Sequence, residues 1–142
     1  MTMTANVSWD GGVSFKAEGG TGHTVFMDGP ADKGGQDKGS RPMEMMLMGL
    51  GGCSSFDVMT ILQKSRQDVV SCEAKITAER ADAVPAVFTK IHLHFVVSGR
   101  KLKDKVVARA IALSADEYCS ASIMLAKGGV EITHNFEIIE VA

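Results

Sequence analysis

The sequence has little of what several classes of protein require. Its three cysteines, Cys53, Cys72 and Cys119, form no CxxC pair, and an odd number of cysteines argues against a framework of structural disulfides. Basic and acidic residues nearly balance, with 15 Lys and Arg against 17 Asp and Glu. We therefore expect neither nucleic acid nor an anionic membrane as a partner.

Features of exported and membrane proteins are also missing. The N-terminus has no basic start followed by an apolar run, and no segment reaches roughly 18 consecutive apolar residues. We therefore expect a cytoplasmic protein. With 142 residues, of which 45% are hydrophobic, the sequence is predicted to build one core and one domain over residues 1–142.

The N-terminal third contains short apolar segments separated by glycine-rich turns. The apolar pairs at residues 7–9, 13–15 and 25–27 predict a three-stranded meander. A segment rich in Gly, Asp and Lys follows and is predicted to be a flexible loop. Pro42 near the first helical position, with Ser40 as the candidate N-cap, predicts a helix that runs to about Lys64.

Alternating apolar and polar residues then predict two paired strands. In the first, Val70 and Cys72 begin a face that points inward. The second, over residues 87–97, places its apolar side chains on one face and three polar ones on the other, namely Lys90, His92 and His94. Cys72 is interpreted as part of the core of this hairpin.

The C-terminal third predicts helical structure followed by a last strand. Residues 103–127 have a helical pattern, and Ser114 with Glu117 forms a capping-box signature that would divide it into two helices. Two glycines at residues 128–129 end this region. Residues 130–138 alternate again, so the predicted order is β-β-β-α-β-β-α-α-β.

The predicted central helix contains the unusual run MGLGGCSS, in which three glycines precede Cys53. Three glycines inside a helix cost about 3 kcal/mol relative to alanine. Close approach of another backbone or helix is the usual compensation. Since residues 43–50 are apolar almost all round, we expect this helix to be buried against a second subunit. A small buried cysteine that packs like alanine is the plain structural interpretation of Cys53.

The cysteine contexts resemble one protein family. The run RPMEMMLMGLGGC, which ends at Cys53, and the segment EYCSA around Cys119 are similar to the OsmC/Ohr family and most of all to its YhfA-like branch. The resemblance implies an α+β fold with antiparallel sheets around a long central helix. It also implies an intertwined homodimer, in which the strands and loop of residues 1–41 take part, with two sites at the subunit interface.

The resemblance also implies a redox function. Cys53 as a thiolate would attack a small-molecule hydroperoxide and become a sulfenic acid, and Cys119 would condense with it to a disulfide that an external dithiol reductant reopens. No metal and no bound cofactor is required. If Ser114 begins a helix as the capping box predicts, Cys119 lies near the start of that helix, where the helix dipole would favour a thiolate.

One feature of the peroxidase members of the family is missing from this sequence. They activate the cysteine with a buried arginine from the N-terminal strands, which is held by a glutamate just after the helix-opening proline. Here Met43 follows Pro42, and Glu44 lies nine positions before Cys53, on the opposite side of the helix. No arginine precedes Arg41, and the other N-terminal cations are lysines without a guanidinium fork: Lys16, Lys33 and Lys38.

Asp57 adds a second difficulty, because it shares a helix face with Cys53 four residues earlier. An unpaired carboxylate there disfavours the Cys53 thiolate unless a cation compensates it. Arg41 lies about 18 Å from Cys53 along its own helix, so it would have to come from the partner subunit. The plainer interpretation of Asp57 is a structural capping or dimer contact.

Three further patterns leave alternatives open. His92 and His94 alternate on one strand, and His23 or His134 could complete a metal site, although a solvated sheet surface is favoured. The methionines of the predicted helix suit either a dimer core or a pocket for an apolar ligand. We therefore expect a thiol-dependent redox protein that reduces organic hydroperoxides with Cys53 and Cys119. The alternative is a non-peroxidatic dimer that binds a small apolar molecule.

Overall fold

A computed structural model describes residues 1–142 and shows an α+β protein with two three-stranded sheets and three helices. The order of elements is the predicted one. The chain divides into two compact units, Met1–Met48 and Gly49–Ala142, which are described separately below. The single domain over residues 1–142 stays a prediction.

The elements have the following bounds. The strands are β1 (Ala5–Trp9), β2 (Phe15–Gly19), β3 (Thr24–Met27), β4 (Asp68–Arg80), β5 (Phe88–Arg100) and β6 (Glu131–Glu140). The helices are α1 (Pro42–Lys64), α2 (Asp104–Leu113) and α3 (Ser120–Lys127). The predicted bounds of α1 are therefore confirmed.

The N-terminal unit contains the predicted antiparallel meander, in the order β1-β2-β3. Its sheet buries little, because every residue of β1 is exposed and Trp9 keeps 70% of its surface accessible. A three-stranded sheet without a covered apolar face is only marginally stable. This unit therefore presents apolar side chains that need another surface.

The loop after β3 was predicted to be flexible, but a buried carboxylate organises it. Asp28 accepts hydrogen bonds from the backbone N–H groups of Gly29, Gln36 and Lys38 at 2.8, 2.9 and 3.2 Å. The Gln36 N–H in particular lowers the pKa of Asp28. The loop is therefore held at both ends by one side chain.

The helix α1 begins at Pro42 as predicted, but its N-cap differs from the predicted residue by one position. The carbonyl of Arg41 accepts the first helical hydrogen bond, from Met45 at 3.0 Å, so Arg41 and not Ser40 is the N-cap. Ser40 instead forms an isolated bridge with Met27. The Glu44 carboxylate accepts from the Arg41 N–H at 2.9 Å, which is half of a capping box.

The second sheet has the order β4-β5-β6 and mixes both strand directions. β4 and β5 form the predicted antiparallel hairpin, whereas β6 runs parallel to β5. The expectation of antiparallel sheets is thus met by the meander and the hairpin. The last strand differs because the chain crosses over through α2 and α3 before it returns to the sheet.

Register shifts explain where the side-chain alternation fails. A shift between Val69 and Ser71 turns Val70 outward, with 54% of its surface exposed, so its predicted inward position is wrong. Beyond this bulge Cys72 points inward and is half-buried, as predicted. A second shift near Arg80 buries Phe88 in place of the exposed Val87.

Within the C-terminal unit, α1 buries a stripe with a four-residue spacing. Leu50, Ser54, Val58 and Leu62 are all buried, as expected for one helix face. Of the three glycines, Gly51 faces the sheet, where an added Cβ would lie 2.7 Å from Cδ1 of Ile76. Nothing in the chain lies within 4 Å of a Cβ added at the other two, Gly49 and Gly52.

The outer surface of α1 is strongly apolar. The helix has 23 residues, and an 18-residue window has a mean hydropathy of 1.4, so by length and composition alone it could cross a membrane. The core helix of a water-soluble protein meets the same criterion. Only 28% of this window is buried in the single chain, so most of the helix requires a cover that the chain does not supply.

The close approach at Gly51 predicts energetic coupling with Ile76. Gly51→Ala should raise helix propensity by about 1 kcal/mol, but in the wild-type protein the new Cβ clashes with Cδ1 of Ile76. Ile76→Val removes Cδ1, so Gly51→Ala should be better tolerated in the Ile76→Val background. A double-mutant cycle measured by urea unfolding should give a favourable coupling of at least about 0.5 kcal/mol. The matched cycle with Gly52→Ala should be additive. Equal coupling in both cycles would contradict the contact.

Candidate thiol site

Three candidate residues come together in the C-terminal unit. The sulfur atoms of Cys53 and Cys119 and a carboxylate oxygen of Asp57 all lie within 4.8 Å of one another. Cys53 and Asp57 are half-buried on one face of α1, four residues apart, whereas Cys119 has 0% of its surface exposed. The structure thus joins an accessible thiol, a buried thiol and a carboxylate.

Cys119 caps the helix that follows it. Its backbone is extended, and its Sγ accepts a hydrogen bond from the Ser122 N–H at 3.4 Å, so Cys119 is the N-cap of α3. The predicted capping box at Ser114 and Glu117 is wrong, because Ser114 has helical dihedrals and α2 continues into a π-helical turn over Ser114–Tyr118. The cysteine itself is the capping residue.

Two buried serines, which sequence reasoning missed, hold Cys119 against α1. Ser54 Oγ lies 3.2 Å from Cys119 Sγ, and Ser114 Oγ donates to the Ser54 carbonyl at 3.1 Å. Both serines are buried. The sequence contained one indication of this contact, since Ser54 is a polar residue between Leu50 and Val58 on the apolar face of the helix. A hydroxyl buried at such a position needs a hydrogen-bond partner.

Opposing effects act on the Cys119 thiol. Burial raises its pKa above 9.0 and the neighbouring Cys53 raises it further, whereas the hydrogen bonds from Ser54 and Ser122 lower it. The net pKa is raised, so the reduced site holds a neutral thiol here at neutral pH. Because burial disfavours the thiolate, the folded state carries no such penalty while Cys119 is neutral, and folding stability falls as the pH rises from the unfolded-state pKa through the higher folded-state pKa.

Asp57 has no compensating cation in the chain. Burial raises its pKa, and none of the three salt bridges includes it. The other two supporting candidates, Arg41 and Glu44, belong to the N-terminal unit, are exposed, and are joined by the helix-capping hydrogen bond. The chain itself therefore supplies no cation to Asp57.

The histidines form a separate polar cluster on the sheet surface. His92 Nε2 and His94 Nδ1 lie 2.9 and 2.6 Å from the same oxygen, Oδ1 of Asn135. His134 lies on the other face of β6, and His23 belongs to the N-terminal unit. The two strand histidines therefore share an amide partner on a sheet face that solvent reaches, which supports the surface interpretation over the metal site.

Comparisons with known proteins identify relatives in sequence and in fold. A family model described as OsmC-like protein matches residues 35–135. Protein YhfA of Escherichia coli K12 is 53% identical over 137 residues, which cover 96% of this chain and 98% of YhfA. A solved structure described only as structural genomics is 51% identical and covers 98% of this chain and 100% of its own, with a TM-score of 0.89.

A more distant structure shares the fold. It is an organic hydroperoxide resistance protein OsmC from Legionella pneumophila, with 14% identity and a TM-score of 0.74. The alignment covers 96% of this chain and 97% of that protein. At this identity the likeness concerns the fold alone.

The hydrogen bond from Ser54 predicts a measurable change in Cys119. In protein whose other thiols are removed by Cys53→Ser and Cys72→Ser, Ser54→Ala should raise the pKa of Cys119, because the thiolate loses a hydrogen-bond donor. The ultraviolet absorbance of the thiolate, followed against pH, measures this directly. Ser55→Ala, on the adjacent helix position, should leave the titration unchanged. An unchanged titration in Ser54→Ala would show that this hydroxyl does not interact with the sulfur in solution.

Proposed function

Because this chain belongs to the OsmC-like family, we propose that it is a thiol-dependent redox protein that reduces organic hydroperoxides with Cys53 and Cys119. The observation that carries the proposal is the pairing of an accessible and a buried thiol, from distant parts of the sequence, within 4.8 Å. The fold that it shares with a hydroperoxide resistance protein agrees with this chemistry. A cytoplasmic location would supply the dithiol reductants that the cycle needs.

The proposed cycle has three balanced steps. The Cys53 thiolate attacks the terminal peroxide oxygen, and the O–O bond breaks to give a sulfenic acid and an alkoxide. The alkoxide takes up, through solvent, the proton that Cys53 lost on ionisation and leaves as the alcohol. The Cys119 sulfur then displaces the sulfenic oxygen as water and forms a Cys53–Cys119 disulfide. An external dithiol supplies two electrons and restores both thiols by exchange through a mixed disulfide.

The exposure of the two cysteines supports the proposed roles. Cys53 is half-buried and can meet a small peroxide, whereas Cys119 is fully covered and acts after Cys53 has been oxidised. During reduction the Ser122 N–H and the Ser54 hydroxyl offset part of the cost that burial puts on the departing Cys119 thiolate, whose pKa stays raised overall.

The missing cation of Asp57 is proposed to come from the partner subunit. Arg41 is exposed at the start of α1, where only its backbone N–H is engaged by Glu44. A guanidinium offers a fork of donors that matches a carboxylate. In a homodimer, Arg41 of the partner subunit would pair with Asp57 and so favour the Cys53 thiolate.

The surface of the chain supports a homodimer. Met48, Gly52 and Phe56 recur at four-residue spacing along one face of α1, which the chain leaves exposed, and Phe56 keeps 73% of its surface accessible. The two glycines with free space beside them, Gly49 and Gly52, lie at this exposed surface. Exposed apolar surface of this kind marks an interaction site.

A non-peroxidatic function is the second candidate. The single chain provides no cation within ion-pair distance of Asp57, so nothing in it offsets the carboxylate beside Cys53. Exposed methionines, Met46 and Met48, would suit an apolar ligand at the same helix. This candidate predicts thiols that remain reduced in the presence of hydroperoxide.

The decisive product is an intramolecular disulfide. Reduced, metal-free protein mixed with one equivalent of cumene hydroperoxide and quenched within seconds should contain a Cys53–Cys119 disulfide, found by peptide mapping without reduction. It should be absent in Cys53→Ser and Cys119→Ser and present in the control Cys72→Ser. Thiols that stay reduced in the wild-type protein would exclude the peroxidase and favour the ligand-binding candidate.

The proposed dimer contact is tested at Gly52. Light scattering on a sizing column should give the wild-type protein twice the chain mass of 15.1 kDa. Gly52→Met has room in the single chain and should raise the dimer dissociation constant at least about fivefold, because overpacking a close contact costs about 1–3 kcal/mol. The same substitution at the exposed Ala126 of α3 is the control. A wild-type protein of single-chain mass would refute the dimer.

A further inference from the structure

The thiol site contains a set of donor atoms that metals use, apart from any reaction with peroxide. Two cysteine sulfurs and one carboxylate oxygen lie within 4.8 Å of one another. Zinc binds cysteine sulfur at about 2.3 Å in tetrahedral geometry, which places two sulfur ligands about 3.8 Å apart. Small side-chain adjustments would therefore bring all three atoms onto one ion.

The backbone that presents these atoms suits a metal site. Cys53 and Asp57 occupy positions i and i+4 of α1, the spacing at which a helix directs two ligands towards one ion. Cys119 comes from a different element, the N-cap of α3. Three ligands from two rigid elements define one face of a tetrahedron and leave a fourth position for water or another ligand.

The surroundings of Cys119 resemble an outer coordination shell. Its sulfur accepts a hydrogen bond from the Ser122 N–H and lies 3.2 Å from the Ser54 hydroxyl, and the Ser114 hydroxyl donates to the backbone carbonyl of Ser54. Such bonds orient ligating atoms and tune the metal. They also stabilise the thiolate, which is the form that binds a metal.

The charge of the site is the remaining argument. Asp57 is half-buried and takes part in no salt bridge of the chain, so it stands beside two thiols without a cation. Carboxylates in such surroundings are normally paired or bound to metal. A divalent ion would neutralise two of the three negative charges that the carboxylate and the two thiolates carry, and the positive end of α3 opposes it only weakly.

From this geometry we infer that Cys53, Asp57 and Cys119 form a binding site for a thiophilic divalent cation such as Zn²⁺, with one ion per chain. The site does not depend on the proposed peroxidase function, although it uses the same thiols. A bound ion would hold both sulfurs, so metal binding and disulfide formation exclude each other. Metal would therefore protect the pair from oxidation.

Cobalt provides a direct test, because thiolate-to-cobalt charge-transfer absorption reports sulfur ligands. Reduced protein titrated with Co²⁺ under nitrogen should show this absorption, saturating at one ion per chain and reversed by Zn²⁺. Cys53→Ser and Cys119→Ser should each remove about half of the absorption, since each removes one of the two sulfur ligands. Cys72→Ser should retain it fully. Circular dichroism checks that each variant is folded.

Asp57→Asn is the conservative variant that isolates the carboxylate. It should weaken cobalt binding at least about tenfold, because even the loss of an outer-shell contact costs 10–100-fold. No charge-transfer absorption in the wild-type protein would overturn the inference, as would absorption that persists in Cys53→Ser and disappears in Cys72→Ser. Disulfide formation in metal-free protein is measured separately, so failure of the metal site and failure of the redox proposal are distinguishable.

Discussion

The thiol site depends on one connection, in which α1 is joined to the start of α3 through Ser54. The hydroxyl of Ser54 contacts the Cys119 sulfur, and its carbonyl accepts from Ser114, so one residue of α1 holds both the π-helical turn and the cap that follows it. Because Ser54 is buried in an apolar stripe, these bonds are costly to break. The connection keeps the buried thiol beside Cys53.

This arrangement places ionisable groups where their charged forms are unfavourable. Packing brings two thiols and a carboxylate into a half-buried site, and burial alone disfavours ionisation of Asp57 and Cys119. The proposed thiol chemistry uses a Cys53 thiolate, which a cation beside the site would favour. An arginine of a partner subunit and a divalent metal ion are two ways to supply it, with opposite effects on reactivity: the first activates Cys53, and the second occupies it.

The sequence predicted the fold where periodicity and glycine carry the signal. The bounds of α1, the meander and the β4–β5 hairpin followed from these patterns. It failed where tertiary contacts decide. Arg41 and not Ser40 is the N-cap of α1, because Ser40 forms a bridge with Met27 of β3. Cys119 and not Ser114 is the N-cap of α3, because α2 continues into a π-helical turn at Ser114. A β-bulge that the sequence pattern does not indicate turns the side chain of Val70 outward.

The site was predictable in its cysteines but not in its geometry. The contexts of Cys53 and Cys119 resembled a family, and helix spacing placed Asp57 beside Cys53, but only packing shows Ser54 and Ser114 at the sulfur.

The measurement that tests the redox claim most directly counts thiols in metal-free Cys72→Ser protein as hydroperoxide is consumed. Each hydroperoxide should remove two thiols and release one alcohol. Loss of no thiol, or of one thiol with a persistent sulfenic acid, would contradict the proposed cycle.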